Sequence, residues 1–153
     1  MKIFLIAFLF SPIFLPAQKA QYLSFELGGS GGLASINYEK VFSQKENIAL
    51  YYRTGFSFAP VDQNNGTAFI FPLMLHTKIG KDQHFLDLGL GQSISITSEG
   101  NFFIRMPTSL GYRFEPTGKK IYWRFSYTPI VSYLLDFQWE HWGGITFGHK
   151  FGI

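Results

Sequence analysis

A chain of 153 residues has room for one domain and not comfortably for two. It contains no cysteine, which excludes a disulfide framework and any thiolate metal site, and its net charge of +3 is too small to mark a nucleic-acid-binding protein. Aromatic residues nevertheless reach 19%, with 18 Phe and 8 Tyr, well above what a soluble domain needs.

The N-terminal residues read as a targeting segment. Lys2 supplies a short cationic region, Ile3 to Phe10 form an apolar stretch, Ser11 and Pro12 interrupt it, and Ala17 and Ala20 offer small residues for cleavage. The stretch is shorter than the ~20 apolar residues of a spanning helix. The expectation is a signal peptide over 1–17, with 20 as the alternative end, followed by one domain over 18–153. No Cys follows the apolar stretch, which excludes a lipoprotein anchor.

Beyond residue 20 the chain alternates between strand-like stretches and short turn clusters. The spacing predicts strands near 21–29, 33–42, 47–59, 68–79, 84–97, 102–114, 120–132 and 142–152. Between them lie Gly29-Ser30-Gly31-Gly32, Ser43-Gln44-Lys45-Glu46, 60–67, Gly80-Lys81-Asp82-Gln83, 98–101, Glu115-Pro116-Thr117-Gly118 and 133–141, rich in residues that accept turn dihedrals. Pro72, Pro107 and Pro129 fall inside strands and predict bulges or strand portions beyond any lipid band.

Within the strands, period two separates unlike faces. Leu86, Leu88, Leu90, Ile94 and Ile96 oppose Asp87, Gly89, Gly91, Ser93 and Ser95; Ile121, Trp123, Phe125 and Tyr127 oppose Tyr122, Arg124, Ser126 and Thr128. Alternation does not say which face is inside, but volume does. An eight-stranded barrel is only just wide enough to be filled by side chains. Phe25, Tyr52, Phe56, Phe58, Phe69, Phe71, Trp123, Phe125, Phe147 and Phe151 do not fit such a core together, whereas the Gly- and Ser-rich face does. The apolar face is expected outward, which only lipid tolerates. The expected fold is an all-β, eight-stranded antiparallel transmembrane barrel in up-and-down meander order.

Four segments carry a resemblance. The run Ile36-Asn37-Tyr38-Glu39-Lys40-Val41-Phe42 with Lys45-Glu46-Asn47, then Leu86-Asp87-Leu88-Gly89-Leu90-Gly91, Leu110-Gly111-Tyr112-Arg113-Phe114-Glu115-Pro116 and Gly143-Gly144-Ile145-Thr146-Phe147-Gly148, resembles small outer-membrane barrel proteins of Gram-negative bacteria. The resemblance implies an outer-membrane location, lipid and lipopolysaccharide as surroundings, the barrel-assembly machinery as a partner, and a monomer; it carries no known active site. Such barrels usually end in an aromatic residue, whereas this sequence ends Phe151-Gly152-Ile153, with Ile153 in phase with the lipid-facing row.

The chemistry-bearing residues are charged positions on the polar face: Glu26, Glu39, Arg53, Lys78, Asp87, Arg105, Arg113, Arg124 and Lys150. They are expected to form a charge network that plugs the interior, since paired charges satisfy one another where water is scarce. Some small outer-membrane barrels are lipid A deacylases or acyltransferases, which need a His beside a nucleophilic Ser and an orienting acid. The steps after His76, His84, His141 and His149 do not match the deacylases' His-x-Ser pattern, and Ser132, Asp136 and His141 around the last loop read as a solvated loop. Asp62-Gln63-Asn64-Asn65-Gly66 misses calcium-loop spacing by one residue. Phe137, Trp139 and Trp142 make that last loop apolar, as an outer aromatic girdle or a contact tip. The expectation is a non-catalytic barrel with a structural or interaction role, without metal, cofactor or nucleic acid. A lipid A-modifying enzyme and a narrow channel are the rivals.

Overall fold

The computed structural model describes residues 20–60, 66–132 and 138–152. The expected signal segment, Asp62 to Asn65, Asp136 and Phe137 lie outside them, and Ser132 is described by its backbone alone. The strands are β1 (Gln21–Gly28), β2 (Ala34–Lys45), β3 (Ile48–Pro60), β4 (Thr67–Lys81), β5 (His84–Thr97), β6 (Phe102–Phe114), β7 (Ile121–Tyr127), β8 (Ile130–Ser132), β9 (Gln138–Glu140) and β10 (Gly143–Phe151). Each pairs antiparallel with its neighbours, and β1–β10 and β5–β6 pairings close the sheet on itself. The result is an eight-stranded antiparallel barrel in meander order. Closure removes the free edges along the barrel; among the described residues only the short β9 pairs on one side alone.

Ten segments make eight barrel strands because two are interrupted. Leu110 faces Tyr127 and Pro107 faces Ile130, so the register on β6 runs from β7 into β8 unchanged. Gly143 opposite Tyr127 and Glu140 opposite Ile130 show the same continuity from β10 into β9. The expected continuous seventh strand is thus broken at Thr128-Pro129, and part of the expected last loop is strand. Pro129 has no N–H to give the ladder, yet its carbonyl accepts from Thr108 N at 2.9 Å, which holds the register through the break.

The prolines do not make bulges. Pro72 leaves a gap toward β3 and Pro107 a gap toward β5, in each case with the register intact on both sides. The bulge sits instead at Val41/Ser43 on β2, where the register with β3 shifts at Phe42. Glu46 and Asp82 take positive φ of 39° and 59° in tight turns that join β2 to β3 and β4 to β5. These turns and the 115–120 connection lie at the end where β1 begins and β10 ends; β1, β3, β5 and β8 run out at the opposite end, the long-loop end.

The two faces differ as alternation predicts. Among the described residues, 29 large apolar side chains are exposed outward. The buried inward residues are mostly Ser, Thr, Asn and charged groups, with one small apolar cluster of Tyr22, Val41, Ala49, Tyr51 and Tyr122. At the long-loop end, a 3-10 turn over Gly29–Gly31 folds inward into the mouth and is buried. Gly28, Gly29 and Gly32 take φ of 71°, 77° and 83°, and a Cβ on Gly29 would lie 2.5 Å from the Glu26 carboxyl carbon. Only glycine lets the turn settle this close.

Candidate functional site: the charged interior

The inward positions of seven strands, β1 to β7, bring acids and cations to one place. Glu26 of β1 is the hub of its upper part. Arg53 Nη1 donates to Glu26 Oε1 at 3.0 Å, with Nη2 2.8 Å from Oε2. Arg124 Nη2 donates to the same Oε1 at 3.0 Å and to Thr146 Oγ1 at 3.1 Å; Thr146 Oγ1 in turn donates to Glu26 Oε1 at 3.1 Å. Ser30 and Ser35 add hydroxyls at 3.4 and 3.5 Å to Oε2. A carboxylate with two guanidinium partners and several hydroxyl donors recovers much of its desolvation cost.

Glu39 of β2 and Asp87 of β5 anchor the rest. Arg113 Nη1 donates to Glu39 Oε2 at 2.8 Å, Tyr122 OH donates to Oε1 at 2.5 Å, and Arg53 Nε lies 3.8 Å from Oε1. Asp87 accepts from His76 Nδ1 at 2.7 Å and from the Tyr51 hydroxyl, with Arg124 Nη1 at 3.6 Å and Arg113 Nη1 at 4.0 Å. The Arg113 guanidinium lies 3.5 Å from the ring centroid of Tyr122, 4.6 Å from that of Tyr22 and 5.3 Å from that of Tyr51. An aromatic cage of this kind suits a weakly hydrated planar cation.

Toward the turn end, Glu115 accepts from Arg113 Nε at 2.6 Å and from Lys78 Nζ at 2.9 Å. Burial works to raise the Glu115 carboxyl, and Arg113 and Lys78 more than offset it, holding it below the usual carboxylate range. Lys78 Nζ also lies 4.5 Å from the Phe85 ring centroid. Four carboxylates, Glu26, Glu39, Asp87 and Glu115, thus meet four cations, Arg53, Lys78, Arg113 and Arg124.

Of the charges expected in the interior, Glu26, Glu39, Arg53, Lys78, Asp87, Arg113 and Arg124 come together here, and two do not. Arg105 stands four inward steps above Arg113 on β6, at the long-loop mouth, and among the described residues its one ion pair is with Glu140 at 3.9 Å. Lys150, next to last in β10, lies at the turn-end rim, half-buried beside a cavity of about 150 Å³ and in no ion pair among the described residues. Height along the barrel axis separates Arg105 from the network, whereas Lys150 shares its cavity with Lys78 and Glu115 without pairing to an acid among the described residues. Tyr22, Tyr51, Tyr122, His76, Thr146 and Glu115 join the network without having been singled out for it. The inward phase of Tyr51 and Tyr122, each next-but-one to an inward Arg, is the signal that could have found them.

The remaining candidates lie elsewhere. His76 Nδ1 hydrogen-bonds Asp87, but among the described residues its buried Nε2 has no hydrogen-bond partner, so none of their hydroxyls completes a nucleophilic arrangement there. His84 pairs with the Tyr112 hydroxyl at 2.5 Å and His141 with that of Tyr127, both on the exposed surface. Trp139 is exposed, with its ring 6.2 Å from that of His141, and Trp142 Nε1 donates to Glu140 Oε2 at 3.3 Å. Above the network, at the long-loop end, lies a second cavity of about 300 Å³.

No protein-family model matches the chain, and no curated protein matches it. Function has to be read from the geometry.

Proposed function

We propose that this chain is an exported outer-membrane β-barrel of the small Gram-negative type. Its role is structural or interactive and non-catalytic, and its interior is plugged by the charge network. The observation that carries the reading is the inverted polarity of the barrel. Its outward surface bears large apolar side chains on every barrel strand, far more than an isolated functional patch on a soluble monomer, while its centre is ionic. Hydrocarbon is the solvent that such an outside fits, and a closed sheet is one of two architectures that satisfy every backbone group there.

Plugging follows from the same arrangement. Arg113 and Arg124 extend across the centre to acids on β1, β2 and β5, and eight strands leave little room beside them. The channel rival requires a path past these side chains. The enzyme rival requires a nucleophile joined to His76 or another base.

Expression of the full chain in a Gram-negative host, followed by fractionation, tests the location. The barrel should sediment with outer membranes, need detergent for extraction, and run at different mobility before and after boiling. A folded, detergent-free periplasmic form would sink the proposal. The purified barrel should give no steady conductance in planar bilayers and release no acyl chain from lipid A; either activity would replace this reading with the corresponding rival.

A further inference from the structure

The cavity at the long-loop mouth has two unlike ends. Its walls are largely apolar: Leu33, Ala68, Ile70, Phe103, Ile130 and Trp142 contribute, and the inward-folded Ser30-Gly31-Gly32 turn closes part of it. Its polar groups come from two paired strands. Ser93 on β5 lies directly opposite Arg105 on β6, and Ser95 sits one inward step further along β5. All three line the cavity.

These polar groups are under-used. Ser93 and Ser95 are 3% and 5% exposed as whole residues, both line the cavity, and neither hydroxyl bonds another group among the described residues. Arg105 makes no hydrogen bond among the described residues; its guanidinium faces Glu140 at 3.9 Å, and that carboxylate is shared with Trp142. The network cations meet acids at 2.6 to 3.0 Å, whereas the Arg105 side chain is 39% exposed at the mouth and only loosely paired, which leaves it and the two cavity-lining hydroxyls open to a ligand. Donors that open onto a cavity can exchange water for a bound acceptor.

We propose that this cavity binds a small amphipathic carboxylate, its head group on Arg105, Ser93 and Ser95 and its aliphatic body among Ile70, Phe103, Ile130 and Trp142. A volume of about 300 Å³ lies at the small end of ligand sites, and an apolar pocket with a few convergent polar groups is their usual make-up. A carboxylate offers two acceptor oxygens to a fork of guanidinium donors, with lone pairs left for the hydroxyls. The site lies inside the barrel, and its test in a bilayer rests on the membrane reading, whose failure would show separately as a barrel that does not enter nanodiscs.

Titration calorimetry on the barrel in phosphatidylcholine nanodiscs, with empty nanodiscs as the blank, tests this with decanoate, decanol and decyltrimethylammonium. Decanoate should bind saturably, one per barrel, at least tenfold more tightly than the alcohol, with the cation weakest. Arg105→Gln should remove most of that preference, about tenfold or more, as loss of a charged hydrogen-bond partner does. The Ser93→Ala, Ser95→Ala double variant should reduce it in the same direction, and Ala68→Phe, which fills the cavity, should abolish binding of both. Retained boiling-dependent mobility certifies each variant as folded. Equal affinity for decanoate and decanol, unchanged decanoate binding in folded Arg105→Gln, or no saturable binding at all would each overturn the proposal.

Discussion

Gly148 of β10 is the cross-strand partner of Tyr122 on β7, and the tyrosine ring occupies the space that a side chain at 148 would need. A Cβ there would fall 2.0 Å from Tyr122 Cε1. The absence of a side chain at 148 therefore sets the pose from which Tyr122 reaches Glu39 and covers Arg113. Gly148→Ala should displace the ring and destabilise the barrel by about 1–3 kcal/mol, as overpacking does. Reversible urea unfolding of the refolded protein measures it, and a neutral outcome would mean that the ring moves without cost.

Asp87 is surrounded by groups that depend on it. Its removal in Asp87→Ala leaves Arg124 and Arg113 short of an acid and takes away the acceptor of His76 and Tyr51. Breaking a buried pair from one side costs about 3–5 kcal/mol because the orphaned charge stays buried. The midpoint of urea unfolding should fall accordingly while bilayers stay electrically silent. Steady conductance in Asp87→Ala would mean that this acid helps hold the interior closed.

Glu115 supplies a pH signature. Its folded carboxyl titrates below the ordinary value of 4.5, so its contribution is fully present above that value and is lost as pH falls through the folded pKa. The stability gap between the natural chain and Glu115→Gln should stay constant near neutrality and shrink below about pH 4.5. Unfolding curves between pH 3 and pH 7 check this, and a gap that widens in acid would contradict the Arg113 and Lys78 pairing.

The outward face has its own test. Phe125 is exposed on β7, and Phe125→Arg should destabilise the lipid-inserted barrel by roughly 2–4 kcal/mol if it lies near the bilayer midplane. Phe125→Leu should change little. Equal tolerance of both substitutions, measured by unfolding from lipid vesicles, would argue against hydrocarbon around this face.

Strand positions and the sidedness of each residue were legible because period two and turn chemistry are local properties: β5 and β6 begin and end where the alternation does. Inward charges could be named for the same reason. What alternation does not encode is height. Arg105 and Arg113 share a face of β6, yet one holds the mouth and the other the centre, because stagger between tilted strands decides which inward residues meet. The direction of a loop is equally silent in composition. Gly29 to Gly32 read as a turn, and its inward fold onto Glu26 depends on contacts across the barrel. Pro129 misled in another way, since a missing donor breaks a hydrogen-bond pattern without shifting the register.

The Glu26 cluster straddles the seam where the barrel closes. Its bonds to Arg124 and Thr146 join residues 98 and 120 positions apart, across the β1–β10 junction. In an open sheet that has yet to bring its two ends together, Arg124 lacks Glu26, and both charges have surrendered water without gaining each other. Contacts of such long sequence separation form late because loop closure must be met first. The ionic centre therefore acts as a latch on assembly: it penalises every half-closed arrangement and rewards the one in which the first strand finds the last.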